Sequence, residues 1–159
     1  MSSDLELMGR FLYNTFQGAG NEAEALELIG DGAYLNIRNS EGITTLMCAC
    51  AGGHTKAVLA MLATGRDVAL EAQDSHGWTA LITAAHRADA ETLRALLQAG
   101  ADPTVKDKMG RDALYYAKGS KDAEKISALE NGLAVRDIVQ GATVLKQPVK
   151  VRKPLQYKP

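Results

Sequence analysis

The sequence predicts an all-α solenoid of about four helix-turn-helix repeats with an extended C-terminal tail. Two interleaved glycine series and a recurring helix-start triplet predict it. The first series is Gly32, Gly65, Gly100 and Gly132, spaced 33, 35 and 32 residues apart. The second is Gly42, Gly77 and Gly110, spaced 35 and 33. A period near 33 with two glycine positions per period marks a repeat architecture.

Each second-series glycine is followed by the same kind of triplet: Thr44-Thr45-Leu46, Thr79-Ala80-Leu81 and Asp112-Ala113-Leu114. A Thr or Asp there can accept a backbone N–H bond and cap a helix. Each first-series glycine follows an apolar stripe on one helical face. The stripes are Ala25/Leu28/Ile29, Val58/Met61/Leu62 and Leu93/Leu96/Leu97, all at i, i+3, i+4. The glycine is then expected to end the helix in the left-handed conformation. The unit reads as turn, short helix, turn, longer helix, glycine, extended linker.

Four units follow, at about 4–36, 37–70, 71–105 and 106–135. In the first, Leu5, Met8, Leu12 and Phe16 give one helix and Ala25, Leu28 and Ile29 the next. The fourth places Asp112, Lys118 and Glu130 where apolar residues are commoner, as a terminal cap with a polar outer face would. Residues 136–159 form a separate basic tail containing Pro148, Pro154 and Pro159, which rule out a helix after about residue 147. Gly141 to Leu145 faintly echoes a repeat start.

These residues resemble the ankyrin repeat, whose pattern includes T-P-L-H-x-A and a Gly-Ala-Asp ending. The matches are Gly77-Trp78-Thr79-Ala80-Leu81-Ile82-Thr83-Ala84-Ala85, Gly100-Ala101-Asp102-Pro103, and Gly42-Ile43-Thr44-Thr45-Leu46 with Gly53-His54. The resemblance spans about residues 4–135. The family's Pro is here Thr45, Ala80 or Ala113, and its His is Met47, Ile82 or Tyr115. The glycine between helices is Ala88 in the third unit. The linker Arg66 to Leu70 is two residues longer than its neighbours, which suggests a protruding tip.

The resemblance implies a protein-interaction module that holds a partner protein in its concave groove. The alternative is an inhibitor or antidote that blocks an enzyme or toxin with the same groove. The implied contact positions are Ser40, Glu41 and Ile43; Ser75, His76 and Trp78; Lys108, Met109 and Arg111; and His86 with Arg87. Trp78, the single Trp, directly follows a tip glycine and leads this set, because Trp, Tyr and Arg dominate binding hot spots. The competing reading is that Trp78 packs locally. Arg87 and Arg111 either pair with carboxylates of the partner protein or are solvated surface charges. His54 is structural by resemblance. Tyr115-Tyr116 is expected to put one ring inward and one outward.

Composition excludes other classes. Hydrophobic residues make up 46%, charged residues 23% and aromatics 5%, which fits packed helices in a soluble domain. The N-terminus lacks a basic segment ahead of a long apolar run, and no stretch approaches the ~20 apolar residues of a membrane span. Cys48 and Cys50 point apart on a helix and read as reduced core thiols. The expected location is therefore cytoplasmic. Cys48, Cys50 and His54 do not converge as zinc ligands. There is no phosphate loop, no nucleophile elbow and no paired carboxylates. The reading is no enzyme, no cofactor and no metal.

The charge is uneven. Lys146, Lys150, Arg152, Lys153 and Lys158 give 141–159 a charge of +5, against −6 for 1–140. Three readings stand for the tail: disorder, docking as an extended arm on the acidic body, or electrostatic attachment elsewhere. Nucleic acid is disfavoured as a partner, since five cations neutralise few phosphates and Tyr157 stands alone for stacking.

Overall fold

A computed structural model describes residues 2–17 and 21–144, and the expectations for 145–159 and for the turn at 18–20 lie outside them. Eight helices run through the described residues: α1 Ser2–Gln17, α2 Glu22–Gly30, α3 Thr45–Gly52, α4 Thr55–Ala63, α5 Ala80–Arg87, α6 Ala90–Gln98, α7 Ala113–Ser120 and α8 Ala123–Val144. The odd-numbered helices stack in chain order as one layer and the even-numbered helices as another. The chain is thus an all-α repeat solenoid.

The helix starts follow from the capping residues. Thr44 accepts from the Met47 N–H, Thr79 from that of Ile82 and Asp112 from that of Tyr115. Each bond satisfies an orphan donor of the first turn. Gly32, Gly65 and Gly100 have φ of 94°, 65° and 101°, and all follow an outer helix as expected. Where the third unit replaces its interhelical glycine by Ala88, the chain leaves α5 in extended conformation and Asp89 caps α6 from its side chain.

The core is a set of ladders along the stack. Met61, Leu96 and Leu129 occupy one rung position and are fully buried, as are Ala49, Ala84 and Ala117 at another. The alanines let the two helix layers approach, and the larger side chains each contribute about 1.5–3 kcal/mol by burial. Thr55 ties neighbouring layers: its hydroxyl donates to Asp89 at 2.7 Å and accepts from the Thr92 hydroxyl at 3.0 Å. Cys48 and Cys50 are both free and buried.

Four expectations need correction. Gly132 does not end a helix; it lies inside α8, against the Leu97 side chain. The boundary at 135/136 falls within the same helix, which continues to Val144 and includes 141–144, the supposed echo of a repeat start. No proline lies between the start of α8 at Ala123 and Pro148, so none stops the helix earlier. Leu5, expected on the apolar face of the first helix, is 43% exposed, since among the described residues no further helix pair packs on that side of α1. The longer linker does not stand away from the body. The Arg66 guanidinium donates to the Ile29 and Ala33 carbonyls at 2.9 Å each, Asn36 bonds Asp67 and Ala69, and Val68 is buried. A cation there also complements the C-terminal end of α2.

Candidate functional site

The groove wall begins with three hairpin tips of one design. Asn39 Oδ1 accepts from the N–H groups of Glu41 and Ile43. Asp74 Oδ1 does so from His76 and Trp78, and Asp107 Oδ1 from Met109 and Arg111. In each tip the glycine N–H returns to the carbonyl of that same residue, at 2.9–3.0 Å. The tips are then joined sideways: Ser75 N–H donates to Glu41 O at 2.7 Å and Lys108 N–H to His76 O at 3.0 Å. This rigid edge holds the expected contact positions in a row. Asn39, Asp74 and Asp107 were missed as site-building residues, although Asn/Asp three residues before each tip glycine is a legible turn signal.

Ser40, Glu41, Ser75, His76, His86, Arg87, Lys108 and Met109 are exposed. Ile43 and Trp78 are half-buried against the core. Trp78 shows the local packing that one of its two readings expects. Its ring meets Tyr116 edge-on at 4.9 Å and His86 at 5.4 Å, yet it also forms part of a hollow in the groove.

That hollow has a volume of about 350 Å³. Ile43, Met47, Cys48 and Ala51 come from the second repeat, Trp78, Thr83 and Arg87 from the third, and Phe16 and Gln17 from the end of α1. It exists because of a size contrast between equivalent positions. α3 carries Ala51 and Gly52 where α5, thirty-five residues on, carries His86 and Arg87. Of the expected contact residues, the hollow brings together Ile43, Trp78 and Arg87. Its small wall residues gave no hot-spot signal in the sequence.

Arg111 departs from both expectations. It is neither a free cation nor simply solvated. Its Nε and Nη2 bond Asp107 Oδ2 at 3.0 and 2.9 Å, and its guanidinium lies 5.0 Å from the Tyr116 ring centre. Tyr116 also donates its hydroxyl to Asp107 Oδ2 at 2.6 Å. Burial would raise the Asp107 carboxyl, but the bonds from Tyr116, Arg111 and Met109 outweigh it and hold the carboxyl well below the usual range. Tyr116 is buried and Tyr115 is 58% exposed, the inward–outward split expected.

His54 stacks on Phe16 at 5.1 Å and heads α4, a packing position. Among the described residues no three His, Cys, Asp or Glu side chains are grouped to hold a metal ion, and no helix is long and apolar enough to cross a membrane. A larger hollow of about 980 Å³ lies on the other layer, where the long α8 overhangs the loop at 100–103. Its walls include Leu97, Pro103 and Val135, and none of the expected contact residues lines it.

A family model described as ankyrin repeats in three copies matches residues 17–107. The chain is 41% identical over 85 residues to Protein HOS4 of Saccharomyces cerevisiae, covering 51% of this chain and 8% of that protein. It is 37% identical over 102 residues to the ankyrin repeat and SAM domain-containing protein 6 of Mus musculus, covering 62% and 11%. It is 33% identical over 100 residues to a putative ankyrin repeat-containing protein of Treponema pallidum, covering 62% and 33%. The chain thus spans at most a third of the length of these relatives.

Proposed function

We propose, on the premise that this chain belongs to the ankyrin-repeat family, that it grips a segment of a partner protein in the groove formed by its hairpin tips and inner helices. Ankyrin repeats generally mediate protein–protein interaction rather than catalysis. One observation carries the reading for this chain: the 350 Å³ hollow opens on the groove and takes its walls from three successive repeats. Half-buried Trp78 and Ile43 give it an apolar part beside the polar Gln17, Asp74, Thr83 and Arg87 that share its walls, an anchoring seat edged by exposed polar tips as at a binding hot spot. The tips are stitched to one another by backbone bonds, so little freedom is lost when a partner docks. A groove of this length suits an interface of about 800 Å² per partner.

The test is affinity capture with the full chain as bait, comparing wild type with Ala51→Phe and Trp78→Ala. Ala51 is exposed on α3, so a Phe there fills the hollow without entering the core. The expected result is a discrete set of proteins recovered by wild type and lost with Ala51→Phe. Recovery of the same proteins by all three chains would overturn the groove reading.

A further inference from the structure

We infer that the segment held in this groove is acidic, with one large apolar side chain seated in the hollow and its carboxylates lying toward the third and fourth repeats. This rests on the groove reading above. The argument is charge complementarity on a shaped surface.

The hollow sets the anchor. Phe16, Ile43, Met47 and Trp78 give it apolar walls, and 350 Å³ is large enough for an aromatic or branched aliphatic side chain but not for a folded element. The rim sets the charge. Arg87 lines the hollow, is exposed, and has no ion pair among the described residues. Lys108 is exposed on the next tip, with His76 and His86 between them in the row. Of the carboxylates on the three tips, Asp74 and Asp107 are already engaged by backbone N–H groups, and Asp107 by Arg111 as well. Glu41, on the second repeat, is the exposed one. Arg87 and Lys108 are therefore exposed cations at repeats three and four, beside the half-buried Asp74 in the wall of the hollow, and Glu41 is the exposed anion at the N-terminal tip.

The opposite layer is mixed but acidic on balance. Glu24 and Glu27 on α2, Glu91 on α6, and Glu124 and Glu130 on α8 are exposed, against Lys56 on α4 and Arg94 on α6, which pairs with Glu124. The exposed charge of the groove wall is thus more cationic than that of the opposite layer. An acidic segment is favoured on that wall over the opposite layer. A peptide fits better than a nucleic acid. Trp78 and Tyr116 meet edge-on and are half-buried and buried, which leaves Tyr115 as the exposed phenol ring of this cluster, too little for a stacking platform.

The experiment pans a phage-displayed random 12-residue peptide library on the full chain. Selected peptides are then titrated by fluorescence anisotropy against wild type, Ala51→Phe, Arg87→Glu and Lys108→Glu, each first checked for native circular dichroism. A dT20 oligonucleotide serves as the competing probe. The expected winners pair an aromatic or large aliphatic residue with at least two Asp or Glu, and weaken tenfold or more with Arg87→Glu and with Ala51→Phe. Winners that lose binding with Ala51→Phe but show no acidic enrichment and ignore Arg87→Glu overturn the charge assignment while leaving the groove reading intact. Winners indifferent to Ala51→Phe overturn both. Tight binding of dT20 that Arg87→Glu abolishes overturns the peptide assignment.

Discussion

The Tyr116 hydroxyl and the Asp107 carboxylate meet at 2.6 Å beneath the last hairpin tip, with Arg111 closing on the same oxygen at 2.9 Å. Asp107 Oδ1 meanwhile receives the Met109 and Arg111 N–H groups. One buried carboxylate therefore fixes the tip loop, an inner-helix aromatic and a cation. Tyr116→Phe removes one bond to a charged group while leaving the ring to pack. The expected loss is about 1–3 kcal/mol, read as a lower urea midpoint at unchanged slope. An unchanged midpoint would show that the hydroxyl bond adds nothing to stability.

The same carboxylate sets an acid limit. Its folded value is lowered, so the native state takes up the proton less readily than the unfolded chain. Its contribution is fully present above the ordinary value of 3.8 and is lost as pH falls through the folded value. Asp89 acts with the same sign: burial raises its carboxyl, but bonds from Thr92 and Thr55 prevail. At the other end, burial pushes Tyr13 up to about 12 from 10.0, so its contribution is full below pH 10 and is lost as pH rises above it. The urea midpoint should hold level from about pH 5 to about 9, falling in acid as Asp107 and Asp89 protonate and in alkali above pH 10 as Tyr13 ionises. Asp107→Asn should flatten the acid limb. An acid limb of unchanged steepness in that variant would assign it to other groups.

How much of this was legible in the sequence can be judged residue by residue. Thr44, Thr79 and Asp112 were readable as caps because capping is local chemistry within four residues. The Val58/Met61/Leu62 and Leu93/Leu96/Leu97 stripes were readable because periodicity reports burial directly. Gly132 misled, because a glycine at the right spacing ends a helix only if the chain beyond it turns away. Here Leu133, Ala134 and Val135 continue α8. Arg111 misled for a different reason. Its partner Asp107 is four residues away across a tip, and sequence alone does not show that the carboxylate is buried. The hollow was hardest to see, since it is made by what Ala51 and Gly52 lack.

The two thiols should be silent in the native state. Cys50 is fully buried and Cys48 is 5% exposed. Burial raises both thiols, so little reactive thiolate forms near neutral pH. Cys48 also accepts from the Gln17 amide at 3.1 Å. Ellman's reagent at pH 8 should leave both unmodified over minutes and titrate two thiols once urea unfolds the chain. Because Cys48 borders the groove hollow and Cys50 does not, partial labelling should reach Cys48 first. Rapid reaction of Cys50 in the folded chain would contradict the packing of α3.

The tip and helix-end glycines should differ sharply in tolerance. Gly77 has φ of 82°, and a Cβ there would lie 2.8 Å from the Lys108 nitrogen and 3.1 Å from Asp107 Cα. Those are backbone atoms of the next repeat, which the Lys108 N–H to His76 carbonyl bond holds in place. Gly65 has φ of 65° and open space where its Cβ would go. Gly65→Ala should therefore cost only the left-handed backbone term, about 1 kcal/mol. Gly77→Ala adds a steric term that is relieved only by parting the tips of the third and fourth repeats, so its cost should exceed that of Gly65→Ala by about 1–3 kcal/mol. Urea midpoints of the two variants measure the difference. Equal costs would mean that the tips slide apart freely, and a groove wall that slides could not present Trp78, Arg87 and Lys108 in a fixed row.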